Sequence, residues 1–177
     1  MMKKILIVIL LGQLFSFETV KNLDIERFMG KWYVISAIPT FVEKGCSDAY
    51  DIYTLKEDDT IEIRYSAMNC NILKEGKVFN ILQEGKIIDN INKSKWEVSF
   101  IDPWIPFYSA PYDILIIDDN NYEYVVVGST LSFGWVLSRN KTMDQELYND
   151  ILNKLEIDFN YDKNKFKKMS HENQIIN

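Results

Sequence analysis

The sequence predicts an all-β domain, an eight-stranded up-and-down antiparallel barrel with one α-helix packed outside it near the C-terminal end. Three observations predict it. Short stretches of alternating apolar and polar residues recur along the chain, turn residues rather than helical segments separate them, and helical spacing of apolar residues becomes pronounced only after residue 142. With 177 residues and 47% hydrophobic content, the chain has enough apolar surface for one substantial core and too little length for two.

The strands are predicted at Lys31 to Ile38, Ala49 to Leu55, Thr60 to Met68, Gly76 to Leu82, Lys95 to Ile101, Tyr112 to Asp118, Tyr122 to Gly128 and Phe133 to Arg139. Ile61, Ile63 and Tyr65 alternate with Glu62 and Arg64, and Trp96, Val98 and Phe100 alternate with Glu97 and Ser99, so each stretch has one apolar face and one wet face. Asp58-Asp59 and Asp118-Asp119-Asn120-Asn121 supply turns between neighbours, which suits sequential hairpins. No helix separates the strands, so parallel βαβ units are disfavoured, and a closed barrel is the first reading with a sandwich second. Thr142-Met143-Asp144-Gln145 reads as a capping box in which Thr142 caps, and Leu147, Tyr148, Ile151, Leu152 and Leu155 follow at helical spacing.

The flanks are of a different kind. Lys3 and Lys4 precede an apolar run from Ile5 to Leu11, interrupted by Gly12 and Gln13, which is too short to span a bilayer and reads as a signal peptide over residues 1–18. Residues 19–168 are then the barrel with its helix, and residues 169–177 a loose tail. The first cysteine is Cys46, far from the apolar run, so an N-terminal lipid anchor is not expected; the protein is expected to be secreted, or otherwise extracytoplasmic, and soluble. Without Lys3 and Lys4 the chain carries 18 basic and 26 acidic side chains, a balance that repels phosphate backbones and anionic membranes and argues against a nucleic-acid partner.

Gly30-Lys31-Trp32-Tyr33, preceded by a helical turn at Asp24 to Met29, resembles the motif that opens the first strand of lipocalins. Asp118 through Tyr122 with Tyr124, and Leu137-Ser138-Arg139, stand where the second and third lipocalin motifs stand, the second being loosened by extra residues before Tyr122. Ile38-Pro39, Phe41 to Gly45, Tyr53-Thr54-Leu55, Val98-Ser99-Phe100 and Pro111-Tyr112 are similar to the group containing bacterial lipocalin and apolipoprotein D. The resemblance implies that Gly30 and Trp32 open the barrel, that Trp32 plugs its narrow end, and that Arg139 lies over the indole as a cation–π pair.

With Trp32 pointing inward, strict alternation sends Val34, Ser36 and Ile38 inward as well, and the same logic favours Ile63, Tyr65, Trp96, Val98, Phe100, Ile114, Tyr124 and Trp135. These residues are the candidate lining of an apolar, aromatic cavity for a fatty acid, lysolipid, sterol or tetrapyrrole. The segment Asp102 to Tyr108 places Trp104, Ile105, Phe107 and Tyr108 in the loop that lies at the open mouth of lipocalins, where Phe41 joins them in an apolar rim. Such a rim acts as a lid, touches a membrane transiently to collect ligand, or is buried in a homo-oligomer.

Chemistry is sparsely provided for. His171, the single histidine, falls in the predicted tail, so histidine-based catalysis and metal or haem ligation lack their residue, and neither a cofactor nor a metal site is expected. The clustered carboxylates sit at turns. Cys46 begins the second strand and Cys70 follows the third, so the hairpin at Asp58 brings them opposite each other as a disulfide; a reactive thiol, as in lipocalin-type prostaglandin synthase, is the competing reading. The first functional expectation is therefore a non-enzymatic carrier or buffer of a small hydrophobic molecule. A lipocalin-type enzyme, isomerase or de-epoxidase-like, and a secreted interaction module with a filled core are the alternatives.

Overall fold

The computed structural model describes residues 17–72 and 77–171. Residues 1–16 of the predicted leader, Gly76 of the fourth predicted strand and residues 172–177 of the predicted tail lie outside the described residues. The chain opens with a single turn, α1 (Ile25–Phe28), whose first turn is capped by the Asp24 carboxylate accepting from the Arg27 N–H. Gly30 then takes a φ of +96°, which favours glycine, and turns the chain into the first strand. Eight strands follow: β1 (Gly30–Ile38), β2 (Ser47–Leu55), β3 (Thr60–Met68), β4 (Val78–Ile87), β5 (Lys95–Asp102), β6 (Ser109–Ile117), β7 (Tyr124–Thr130) and β8 (Phe133–Ser138).

Each strand pairs antiparallel with the next, and β1 pairs with both β8 and β2, so the sheet closes on itself and the sandwich reading is excluded. β4 runs five residues beyond the predicted Leu82. Its Gln83-Glu84-Gly85 stretch looks like a turn in sequence, yet Gly85 lies under the Trp96 ring, and a Cβ there would stand 3.6 Å from Trp96 Cε3. β6 begins three residues before the predicted Tyr112 and takes Pro111 into the ladder opposite Glu97.

The helix α2 (Gln145–Phe159) begins later than the sequence pattern implies. Asp144, not Thr142, is its cap, accepting from the N–H groups of Glu146 and Leu147, and Gln145 is thereby the first helical residue. α2 buries Tyr148, Ile151 and Leu155 against Ile35, Ile38, Leu115, Ile116, Val126 and Val136 on the outer face of the barrel. Two cores therefore share the same strands, one inside the barrel and one between barrel and helix.

The predicted loose tail is corrected over its first residues. A short strand, β9 (Lys167–Lys168), pairs with Ser36 and Ala37 of β1, and Met169 N–H donates to Ile35 O at 2.9 Å. Asp48 N–H donates to Ser170 O at 2.8 Å, and the buried His171 imidazole hydrogen-bonds Val34 O at 2.9 Å. This strip fills the gap where β2 diverges from the upper half of β1 and covers an otherwise open edge. At the other terminus Phe17 stacks on Tyr161 at 5.5 Å, and its carbonyl accepts from Lys95 Nζ. Among the described residues no helix is long and apolar enough to cross a membrane.

Candidate ligand-binding site

The narrow end of the barrel is packed solid. Trp32 and Trp96 are fully buried, with Phe28 wedged against both at centroid distances of 5.5 and 5.2 Å, and Tyr53 edge-on to Phe28 at 5.1 Å. Trp32 Nε1 donates to Phe28 O and Trp96 Nε1 to Lys93 O, so neither indole carries an unmet donor into the core. Arg139 closes this end from outside: its guanidinium carbon stands 3.6 Å from the Trp32 ring centroid. The same group donates to the carbonyls of Arg27, Phe28, Met29 and Lys31, at 2.7 to 3.1 Å, and so caps the end of α1 as well as the indole.

Above this floor lies an open-mouthed cavity of about 130 Å³. That is about tenfold the space one water requires, so the interior is not a filled core. Ile63, Ile81, Val98, Phe100, Phe133 and Trp135 form much of its apolar wall, and Tyr65, Tyr108 and Tyr112 add rings with a polar tip. Tyr112 stacks between Trp96 of the floor, at 5.5 Å, and Trp135 of the wall, at 6.4 Å, which makes one aromatic face from floor to mouth.

Of the residues expected to line the cavity, Ile63, Tyr65, Val98, Phe100 and Trp135 do so, together with Tyr108 of the rim. Val34, Trp96 and Ile114 point inward but lie within the packed core rather than on the cavity wall. Ser36, Ile38 and Tyr124 are corrected to the outer face. A bulge between Val34 and Ser36 shifts the alternation of β1 by one residue, so Ala37 faces the interior while Ile38 joins the layer under α2. Ser36 pairs with Val136 of β8, which faces the layer under α2. In β7 the inward residues are Val125, Val127 and Ser129, which leaves Tyr124 outside. At the rim Phe41, Trp104 and Phe107 are 76, 72 and 108% exposed, and Ile105 and Tyr108 are partly so. Cys46 and Cys70 form the expected disulfide, and neither is a free thiol.

The sequence reading missed the polar pole of the cavity. Asp51 sits on the inward face of β2 between Ala49 and Tyr53, directly opposite Tyr65 of β3, and only 8% of it is exposed. Burial, then the nearby Glu43 carboxylate, push its pKa up to about 8, against a smaller opposing hydrogen bond with Tyr53. Glu43, in the β1–β2 loop, is equally buried; its carboxylate accepts from Trp135 Nε1 at 2.8 Å and from Thr40 N–H at 2.9 Å. The Tyr53 and Tyr112 hydroxyls hydrogen-bond each other, and burial raises both phenols above their ordinary range. Two buried hydroxyls on this wall, Tyr65 Oη and Thr40 Oγ1, have no hydrogen-bond partner among the described residues. The signal in sequence was Asp51 itself, a carboxylate at an inward step of a period-two pattern.

A closed antiparallel barrel with a packed aromatic floor, an arginine seal and one open-mouthed cavity defines a class of one-ended β-barrel cup. A family model for lipocalin-like domains matches residues 23–171, and the chain belongs to the lipocalin family. It is 31% identical over 156 residues to temperature-induced lipocalin-1 of Arabidopsis thaliana, covering 85% of this chain and 81% of that one. It is 31% identical over 170 residues to apolipoprotein D of Macaca fascicularis, covering 92% and 85%. Among solved structures, insecticyanin of the tobacco hornworm Manduca sexta superposes with a TM-score of 0.67 at 14% identity, over 89% of this chain and 86% of that one, a likeness of fold alone.

Proposed function

We propose that this lipocalin is a non-enzymatic carrier of a small hydrophobic molecule, held in the barrel cavity and released through the mouth. The observation that carries the reading is the cavity itself, about 130 Å³ of open space with a mostly apolar and aromatic wall above a sealed floor. Each Å² of apolar ligand surface buried there contributes roughly 25 cal/mol. The alternative of a filled interaction module is weakened by that space, and a thiol-dependent enzyme by the pairing of Cys46 with Cys70. The exposed Phe41, Trp104 and Phe107 act in this reading as the capture rim, the first apolar surface an incoming ligand meets. The disulfide and the apolar leader favour an exported protein. Because Phe17 packs on Tyr161, we place leader processing upstream of Phe17 rather than at residue 18.

Native mass spectrometry of the purified protein, followed by titration with an apolar fluorescent probe, tests the reading. A co-purifying lipophile, or a probe that binds with one-to-one stoichiometry and is displaced by alkyl ligands, is expected. A protein that carries nothing and excludes every probe overturns it.

A further inference from the structure

Resting on the carrier reading, we propose that the cavity selects a lipophilic amine, whose ammonium group is received by Asp51 and Glu43 with the Tyr65 hydroxyl beside them. The first ground is the charge of the wall. Two carboxyl groups line the cavity, and among its lining residues there is no lysine, arginine or histidine. An anionic head, such as a fatty-acid carboxylate, adds a third acid in a poorly solvated space with no counter-charge, and Coulomb repulsion there is several times what it is in water. A cation reverses the sign of every one of those interactions.

The second ground is independent of charge. Tyr65 lines the cavity and is only 6% exposed, and its buried Oη has no hydrogen-bond partner among the described residues. An orphaned buried hydroxyl is unfavourable until a ligand atom or a water meets it. Tyr65 stands directly across the β2–β3 ladder from Asp51, so the unmet oxygen and the carboxyl project from one face at neighbouring positions. An ammonium brings three donors to these acceptors.

Third, one of the two acids is held in place. Glu43 is fixed by Trp135 Nε1 and Thr40 N–H, both of which donate to it and hold a negative group in place. Burial keeps Asp51 protonated near neutrality while the cavity is empty, and an arriving cation favours the ionised form. The rings of Tyr65, Phe100, Tyr112 and Trp135 surround the same space and offer π faces to a cation. A neutral alcohol can hydrogen-bond Tyr65 and the carboxyls but gains no charge attraction from them.

Displacement of a bound apolar probe from the full, oxidised chain by decylamine, decanol and decanoate tests this, because the three share a tail and differ in the head. Work in about 0.5 M salt screens the negative surface, so that selectivity reports the buried site. Decylamine is expected to displace the probe at least about tenfold more effectively than decanoate, and more effectively than decanol, as one added buried charge interaction requires. Asp51→Asn is expected to reduce the decylamine advantage over decanol about tenfold, and Tyr65→Phe to weaken decylamine and decanol alike. Glu43→Gln serves as the second charge variant where Asp51→Asn folds poorly, and the wild-type ranking needs no variant at all. Decanoate binding as well as decylamine, or an amine preference untouched by both charge variants, overturns the amine proposal while leaving the carrier reading intact. Failure of all three to displace any probe overturns both.

Discussion

Replacing Arg139 tests the claim that one side chain seals the floor. Its guanidinium donates to five main-chain carbonyls, four of them at 2.7 to 3.1 Å and Tyr122 O at 3.4 Å, and lies 3.6 Å over Trp32. A hydrogen bond from a charged donor contributes about 1.5–3 kcal/mol when counted alone, and a cation–π contact about 0.5–2 kcal/mol. These bonds share one half-buried group, so their sum is discounted, and Arg139→Ala is expected to lose about 4 kcal/mol. Arg139→Lys keeps the charge but loses the planar fork that reaches the α1 carbonyls and the indole at once, and about 2 kcal/mol is expected to go. Urea unfolding followed by tryptophan fluorescence measures both, with an unchanged m-value as the control for a common unfolded state. A loss under about 1 kcal/mol for the alanine variant, or wild-type stability for the lysine variant, refutes the seal.

Reducing the Cys46–Cys70 bridge opens a loop with a sequence separation of 24 and is expected to cost about 3 kcal/mol, read as a shift in urea midpoint with and without reductant. The Asp51 carboxyl has its pKa raised from 3.8 to about 8, chiefly by burial and then by Glu43. The folded chain therefore keeps a proton that the unfolded chain releases, and stability falls as pH rises through that window, by at most about 1.4 kcal/mol per pH unit. Asp51→Asn is expected to flatten that slope, and an unchanged slope in the variant removes Asp51 as its source. Trp104→Ser with Phe107→Ser trims the most exposed rim residues of the β5–β6 loop and is expected to slow ligand uptake in stopped-flow mixing, with thermal stability nearly unchanged. Uptake at the wild-type rate argues against a capture rim.

The barrel was legible because period-two alternation survives in several strands, as in β3, where Ile61, Ile63 and Tyr65 are buried and Arg64 between them is exposed. What sequence periodicity cannot carry is an insertion in the alternation. The bulge between Val34 and Ser36 leaves no mark in the letters Val-Ile-Ser-Ala-Ile, yet it turns Ile38 from the cavity to the helix. Ile114 to Ile117 in β6 shows the same ambiguity, an unbroken apolar run in which a bulge assigns Leu115 and Ile116 outward and Ile117 inward. The C-terminal strip from Lys167 to His171 was missed for a different reason. Its composition is largely polar, and main-chain pairing to β1 orders it along with the packing of Met169 against the core, which composition does not report.

Asp51 escaped notice because the expectation of an apolar lining weighted the wrong feature of β2. On this strand the residues that read as strand formers, Tyr50 and Ile52, face outward, and the inward series is Ala49, Asp51 and Tyr53. A polar residue in such a series is costly to bury unless the fold supplies partners, and Glu43 shows how far the mouth is organised around this acidic pole. Its two oxygens accept from Thr40 within its own loop and from Trp135 of β8. The loop that carries the exposed Phe41 is thus tied down by a carboxylate on the cavity wall. Neutralising Glu43 removes the charge from the wall and weakens the tie between loop and β8, so in the carrier reading the geometry of the rim and the chemistry of the pocket vary together.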